Sequence, residues 1–202
     1  MEIRRRMKQT IINQRKLRFD EINSLVSEIS VNSEAEYLAL PPRERRRRKQ
    51  LFWDCLWDWL IDGWSAGLLF VGEDKDMPDL TYILNWVYPR GESVSEIYDK
   101  DITNPEKLQR MIECEANRVF NSGVIEAGKG VEGLTKTWET MMDDRVRDTH
   151  FWLEGTTIPF DEEFVTLTGA SGLAPGMFDD PEETVNCRCF LTLHKGNKTE
   201  QV

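Results

Sequence analysis

The sequence predicts an α+β protein, with a helical N-terminal arm followed by a small mixed α+β C-terminal domain. Three observations lead there. Apolar residues recur at helical spacing through most of the first 120 residues, and beyond Gly128 short apolar pieces broken by turns replace them. Charge divides the same way: residues 1–50 hold 13 Lys or Arg against 7 Asp or Glu, net +6, and residues 51–202 hold 13 against 29, net −16, summing to −10. Finally, 202 residues at 40% hydrophobic content suffice for one sizeable core, or for a helical arm plus a smaller domain.

From Met1 to about Ile29, Ile11, Ile12, Phe19, Ile22, Leu25, Val26 and Ile29 form an amphipathic stripe that requires a partner surface, in this chain or another. Pro41-Pro42 separates Tyr37–Leu40 from the basic run Arg43–Lys49, because proline lacks an N–H and its ring blocks a continuing helix. A second helix starts there. Leu51, Phe52, Cys55, Leu56, Trp59 and Leu60 give it one broad apolar face, with an end expected near Gly63 or Gly67 and with Asp58 and Asp62 on the other face. Residues 72–79 read as a loop, Leu80–Tyr88 as a short apolar run, Pro89-Arg90-Gly91 as a turn and Ser95–Asp101 as one more helical turn.

Asn104-Pro105 is a helix start, with asparagine as cap and proline in the first turn. That helix turns Leu108, Ile112, Ala116, Val119 and Phe120 inward, is expected to end at Asn121-Ser122-Gly123, and places Glu115 and Arg118 three apart as an exposed pair. Alternation of Leu134, Lys136 and Trp138 predicts a strand, and Phe151–Leu153, Thr157-Ile158, Phe164–Leu167 and Phe190–Leu193 are further short apolar pieces. The expected divisions are an arm at 1–42, a Trp-rich helical region at 43–104, a compact domain at 105–193 and a polar tail at 194–202.

Composition excludes several classes. Four cysteines at 55, 114, 187 and 189, with no apolar leader, read as a chain from a reducing compartment. Asp54, Asp58 and Asp62 interrupt the Trp-rich stretch Leu51–Val71, so it reads as a buried helix or interface and not as a membrane span. Gly128-Lys129-Gly130 lacks the spacing of a phosphate-binding loop.

Candidate chemistry gathers late in the chain. Zinc prefers thiolate and imidazole ligands, and Cys187, Cys189 and His150 supply three, with Asp143, Asp144, Cys114 or water as the fourth. One residue between the cysteines would aim both at the same side of a strand. The same residues also read as two small buried hydrophobes beside a hydrogen-bonded histidine. Asp144, Arg145 and Arg147 read as a catalytic acid with a phosphate clamp, or as a polar network fixing a loop. His194 reads as a surface or edge residue. Arg43, Arg45, Arg46, Arg47, Arg48 and Lys49 are the expected nucleic-acid contacts, touching phosphate without reading bases; a solvated charged helix or, less readily, docking on an acidic protein patch also accounts for them.

Taken in order, Glu115-x-x-Arg118, Asn121-Ser122-Gly123, Trp138, Asp144-Arg-Val-Arg-x-x-His150-x-x-Leu-x-Gly155, Phe164 and Asn186-Cys-Arg188-Cys189 resemble the head morphogenesis domain of phage Mu F-like and SPP1 gp7-like minor capsid proteins, over roughly residues 105–193. In some members a cysteine pair occupies the positions where Arg147 and His150 stand, completing a four-thiolate site with the Cys-x-Cys. The resemblance therefore keeps a ligand at His150, loses one at Arg147, and leaves zinc as the implied cofactor. It further implies a virion protein inside the capsid near the portal, present in the host cytoplasm during assembly, whose partners are the portal protein, major capsid or scaffolding protein, and DNA. Region 43–104 becomes the expected portal-docking region. No enzymatic step is implied.

Two other classes remain at this point. A metal-dependent nuclease or transferase would draw on Asp144, His150 and Glu115. Some F-like domains neighbour toxin or transferase modules, for which the sequence leaves no room after Cys189. A free nucleic-acid-binding regulator would use Arg43–Lys49.

Overall fold

The computed structural model describes residues 2–88 and 91–196. The turn expected at Pro89-Arg90 and the tail beyond Gly196 lie outside the described residues, as do the side chains of Arg4 and Arg5. The chain forms an N-terminal helical region followed by a mixed α+β region, as the periodicities indicated. In order, the helices of the first part are α1 (Glu2–Ile29), α2 (Glu34–Ala39), α3 (Pro42–Val71), α4 (Thr81–Leu84), α5 (Val94–Asp101) and α6 (Pro105–Gly128). The second part holds β1 (Leu134–Glu139), α7 (Asp148–Phe151), β2 (Thr157–Pro159), β3 (Phe164–Val165), β4 (Ser171–Gly172), α8 (Pro181–Thr184) and β5 (Phe190–Lys195).

Local chemistry sets the starts of these helices. Pro42 opens α3, where its missing N–H costs nothing. Ser93 and Glu96 form a reciprocal capping box on α5, and the Asn104 side chain accepts the Lys107 N–H at 3.0 Å ahead of Pro105. The stripe on α1 finds its partner within the chain: Ile11, Ile12, Phe19, Ile22, Val26 and Ile29 are all buried with α3 and α6 in one core.

Two helix ends differ from expectation, and for one reason. Helix α3 continues past Gly63 and Gly67 to Val71, ending at Gly72 in the left-handed conformation (φ 66°), and α6 continues past Asn121-Ser122-Gly123 to Gly128. Both sets of glycines are crossing points, not stops. A Cβ placed on Gly63 would lie 2.0 Å from the Phe120 carbonyl oxygen, and one on Gly123 would lie 2.5 Å from that of Leu60. Backbones this close exclude any side chain. Gly63→Ala is accordingly expected to force α3 and α6 apart and cost about 3 kcal/mol, read as a melting temperature lower by roughly 6–12 °C; an unchanged melting temperature would contradict this crossing.

The sheet orders β2-β1-β5, antiparallel throughout, with Trp138 opposite Leu191 and Lys136 opposite Leu193. Strands β3 and β4 pair separately. Of the apolar pieces read in the sequence, Phe151–Leu153 does not extend: Phe151 closes α7, and the turn after it runs to Gly155 at φ 73°. On α6 the Asn121 amide joins helix to sheet, donating to the Pro175 and Cys189 carbonyls at 3.1 and 3.2 Å and accepting the Leu191 N–H at 3.0 Å.

The inward alternation in β1 buries Lys136 fully, its Nζ 2.8 Å from the Leu173 carbonyl oxygen and 5.5 Å from the Phe164 ring centre. Burial pushes its pKa from 10.5 down to about 8, against the opposing pull of Asp161, Glu163 and Glu162. The sign follows from proton linkage. Between pH 8 and 10.5 the folded chain has released a proton that the unfolded chain still holds, so this group makes stability rise with pH across that window. Lys136→Met is expected to remove the rise and to gain roughly 2–3 kcal/mol at pH 7, measured by urea unfolding at pH 7 and 9.

Candidate metal centre

Three segments meet beside β1, the central strand of the sheet. Helix α7 delivers His150, β1 delivers Trp138 beneath it at 5.1 Å between ring centres and 72° between planes, and the segment entering β5 delivers Cys187 and Cys189. The cysteines do not sit in a strand, as their spacing suggested, because β5 begins only at Phe190. The extended chain ahead of β5 still turns both sulfurs inward. His150 Nδ1 lies 3.5 Å from Cys187 Sγ and 3.7 Å from Cys189 Sγ, all three residues are buried, and the three donor atoms fall within 4.8 Å of one another.

These spacings fit a tetrahedral ion. Zinc bonds of about 2.3 Å to sulfur and about 2.0 Å to nitrogen, opened to the tetrahedral angle, separate the donors by roughly 3.6 Å. His150 Nε2 points to Glu183, 3.1 Å from Oε2. The approach falls outside hydrogen-bond geometry. A carboxylate behind a ligating imidazole fixes the tautomer that frees the other nitrogen for metal. Burial alone would raise the Glu183 pKa; the Thr149 and Thr168 hydroxyls, at 2.8 and 2.9 Å, and the charges of His150 and Arg147 outweigh it and hold the carboxyl below its usual range.

The cysteines titrate as a pair. Burial opposes charge at both, and hydrogen bonds from Cys189 and His150 bring Cys187 well below the ordinary thiol value. The hydrogen bond with Cys187, followed by burial, drives Cys189 well above it. One thiolate beside an imidazole is a ready metal-binding donor. Cys114 stands outside the three-donor group, its sulfur accepting the Asn186 N–H at 3.2 Å and its pKa pushed up to about 11 by burial.

The remaining motif residues frame this centre. Arg188, between the cysteines, points away and binds both Asp143 oxygens at 2.7 and 2.6 Å. Arg147 donates to the Glu182 and Val185 carbonyls, clamping the turn after α8, and Arg145 reaches Glu113 at 3.4 Å. Asn186 adopts φ 60° just before Cys187. Asp144 is exposed. Glu115 lies elsewhere: it pairs with Arg118 at 2.8 and 3.0 Å and accepts the Tyr88 hydroxyl, while Arg118 also donates to the Ile83 carbonyl at 2.9 Å. The pair expected on an exposed face is buried, because α4 and the chain after it cover that side of α6. Asp144, His150 and Glu115 therefore share no hydrogen-bond network, and the acid beside His150 is Glu183.

The basic run is partly consumed inside the molecule. Arg48 caps the end of α1, donating to the Ile29 and Ser30 carbonyls at 3.0 and 2.8 Å; Arg47 pairs with Glu28, and Lys49 with Asp99 at 2.6 Å. Arg45 lies 5.9 Å from the Tyr37 ring centre, and Arg43 and Arg46 are exposed.

Sequence reasoning missed Glu183, Asn117 and Arg15, and took Asn121 for a helix end within the motif, not for a link between helix and sheet. Three of them left a legible signal. Asn117 and Asn121 interrupt the apolar face of α6 four residues apart, and Arg15 falls on the α1 stripe four residues from both Ile11 and Phe19.

A buried imidazole and thiolate group on an α+β domain, covered by a glycine-crossed helix layer, defines a protein with a candidate zinc centre. The family model described as Phage Mu protein F like protein matches residues 89–192, just over half of the chain, and the chain belongs to that family. It is 38% identical over 89 residues to the minor head protein GP7 of Bacillus phage SPP1, a match covering 42% of this chain and 29% of that protein. It is also 37% identical over 84 residues to the NAD(+)–arginine ADP-ribosyltransferase EFV of Enterococcus faecalis, covering 40% of this chain and 17% of that protein. The chain thus spans less than a third of the length of either curated relative. No solved structure matches it significantly. No helix among the described residues is long and apolar enough to cross a membrane.

The expectation of no enzymatic step is corrected by two of these findings. The His150, Cys187 and Cys189 group has the donor set and spacing to hold a metal ion, and one relative is named as a transferase. Both point toward catalytic capacity.

Proposed function

We propose that the protein is a minor capsid component that docks at the phage portal and assists head assembly and DNA packaging or delivery. The observation that carries this reading is the family match over residues 89–192, together with the similarity to a minor head protein. The chain acts inside the capsid near the portal, after a cytoplasmic assembly phase in the host. Its partners are the portal protein, major capsid or scaffolding protein, and DNA. Residues 1–42 form the arm, 43–104 dock the portal and 105–193 form the morphogenesis domain.

Within the basic run, Arg43, Arg45 and Arg46 are the phosphate contacts, supported by the exposure of Arg43 and Arg46 and the half-exposure of Arg45, while Arg47, Arg48 and Lys49 serve internal bonds. Co-purification with the portal protein tests the docking, and failure to co-migrate at moderate salt removes it. For DNA, the triple variant Arg43→Ala, Arg45→Ala, Arg46→Ala is expected to flatten the slope of log affinity against log salt by about 3. Identical slopes would free the run from that role.

A second reading, a metal-dependent transferase or nuclease, is favoured by the metal-binding group and by the ADP-ribosyltransferase relative. NAD+ turnover or DNA cleavage that disappears in His150→Ala supports it. A wild-type chain inactive with zinc, magnesium and manganese counts against it.

A further inference from the structure

Three helices leave a cleft of about 360 Å³ at the start of α3. Pro42, Arg45, Arg46 and Lys49 line it from one face of α3, spaced three and four apart, while α2 contributes Tyr37 and α5 contributes Asp99. Two of the cations are uncommitted. Among the described residues Arg46 makes no hydrogen bond or ion pair, and Arg45 meets only the Tyr37 ring, whose centre is 5.9 Å from its guanidinium carbon. Lys49 is held in place, its Nζ 2.6 Å from Asp99 Oδ2 and 5.6 Å from the Tyr98 ring centre. Three cations against one carboxylate leave the lining with a formal charge of +2. No side chain caps α3, so its first turn adds partial positive charge to the same end.

We propose that this cleft holds one unstacked nucleotide, its phosphate on Arg45 and Arg46 and its base on the Tyr37 ring. The inference rests on the reading of those arginines as phosphate contacts and adds the base. A phosphate monoester carries about −1.5 to −2 charge near neutral pH, which matches the excess in the cleft. Guanidinium forks fit its oxygens, and the volume falls within the range of small-molecule sites, roughly 300–1,000 Å³. Tyr37 separates this cleft from a plain anion site. An inorganic ion has no use for a ring, whereas every base has a face that stacks on one. Asp99 offers acceptor oxygens to a base amine or a sugar hydroxyl. A duplex keeps its bases stacked inside, so a ring within a cleft meets a base only where the strand is single or the nucleotide is free.

The test uses the full chain. Anisotropy with a labelled single strand bearing a 5′-phosphate and with a labelled duplex, and calorimetry with deoxyadenosine 5′-monophosphate and with inorganic phosphate, compare wild type, Tyr37→Leu and Tyr37→Phe. Helix α2 has no buried residue, so these changes leave the core intact. Tyr37→Leu is expected to weaken the single strand or the monophosphate about five- to 150-fold, the range for losing one stacked base, and Tyr37→Phe, which keeps the ring, to bind as wild type does. Duplex affinity and its salt slope should be the same in all three. Tyr37-dependent binding of the strand without the monophosphate assigns the ligand to a strand; Tyr37-dependent binding of the monophosphate, tighter than inorganic phosphate, assigns a free nucleotide. Equal affinities in wild type and Tyr37→Leu, inorganic phosphate bound as tightly as the monophosphate, or a wild type that binds neither strand nor monophosphate overturns the cleft and leaves the duplex contacts standing. Salt slopes unchanged by the arginine triple variant overturn the phosphate contacts and the cleft with them.

Discussion

Replacing Cys187 and Cys189 together with serine is expected to abolish stoichiometric zinc binding and to lower the melting temperature of the zinc-loaded protein by roughly 5–11 °C. Serine keeps the volume but offers a hard, neutral oxygen where zinc prefers a thiolate. A ligand present at a hundred times its dissociation constant stabilises the native chain by about 2.7 kcal/mol, and a chain of this size shifts roughly 2–4 °C per kcal/mol. Chelator-treated wild type should melt together with the variant, because both lack the metal contribution. Cys55→Ser is the control: this thiol lies on α3, its pKa pushed up to about 12 by burial and Asp58, and it belongs to no donor group. Metal analysis with thermal melts checks all four samples. Equal zinc content in wild type and double variant would remove the centre.

Glu115→Ala is expected to cost about 3–5 kcal/mol, the range for stranding one partner of a buried ion pair. The side chains of Glu115 and Arg118 are 1% and 7% exposed, and the carboxylate also accepts the Tyr88 hydroxyl. Without it, Arg118 keeps, among the described residues, the Ile83 carbonyl and the face of Trp86, 5.4 Å from its ring centre. Glu115→Gln retains acceptor oxygen and should lose less. Removing Glu21, whose pair with Arg18 is open to solvent, should cost no more than about 1 kcal/mol. Urea unfolding of the three variants ranks them, and near-equal midpoints for Glu115→Ala and Glu21→Ala would mean that the pair is not buried in solution.

Glu115 also shows where a sequence stops speaking. Its spacing from Arg118 announces a pair on one side of a helix, worth roughly 0.2–0.5 kcal/mol if exposed. Only the return of the chain through α4 buries that side and raises the stake severalfold. The glycines of α3 and α6 misled for a related reason. A glycine within a helical pattern reads as a stop, and nothing local distinguishes it from a point where another backbone must approach within a few ångströms. At the centre, the ligand types were legible because few side chains bind zinc. Glu183 was not, since an acid four residues ahead of a cysteine matches no spacing rule.

The sequence by itself determined the helix starts at Pro42 and Asn104, the inward alternation of β1, the polarity of the two halves and the donor chemistry of His150, Cys187 and Cys189. Each depends on neighbours within a few residues, where caps and periodicity act. Tertiary structure alone decided that α1 lies on its own chain, that Arg15 meets a carbonyl 173 residues away, and that His150 is backed by Glu183. Those meetings are set by which apolar faces bury against one another. A pattern along the chain tells that a face needs cover but does not say which element provides it.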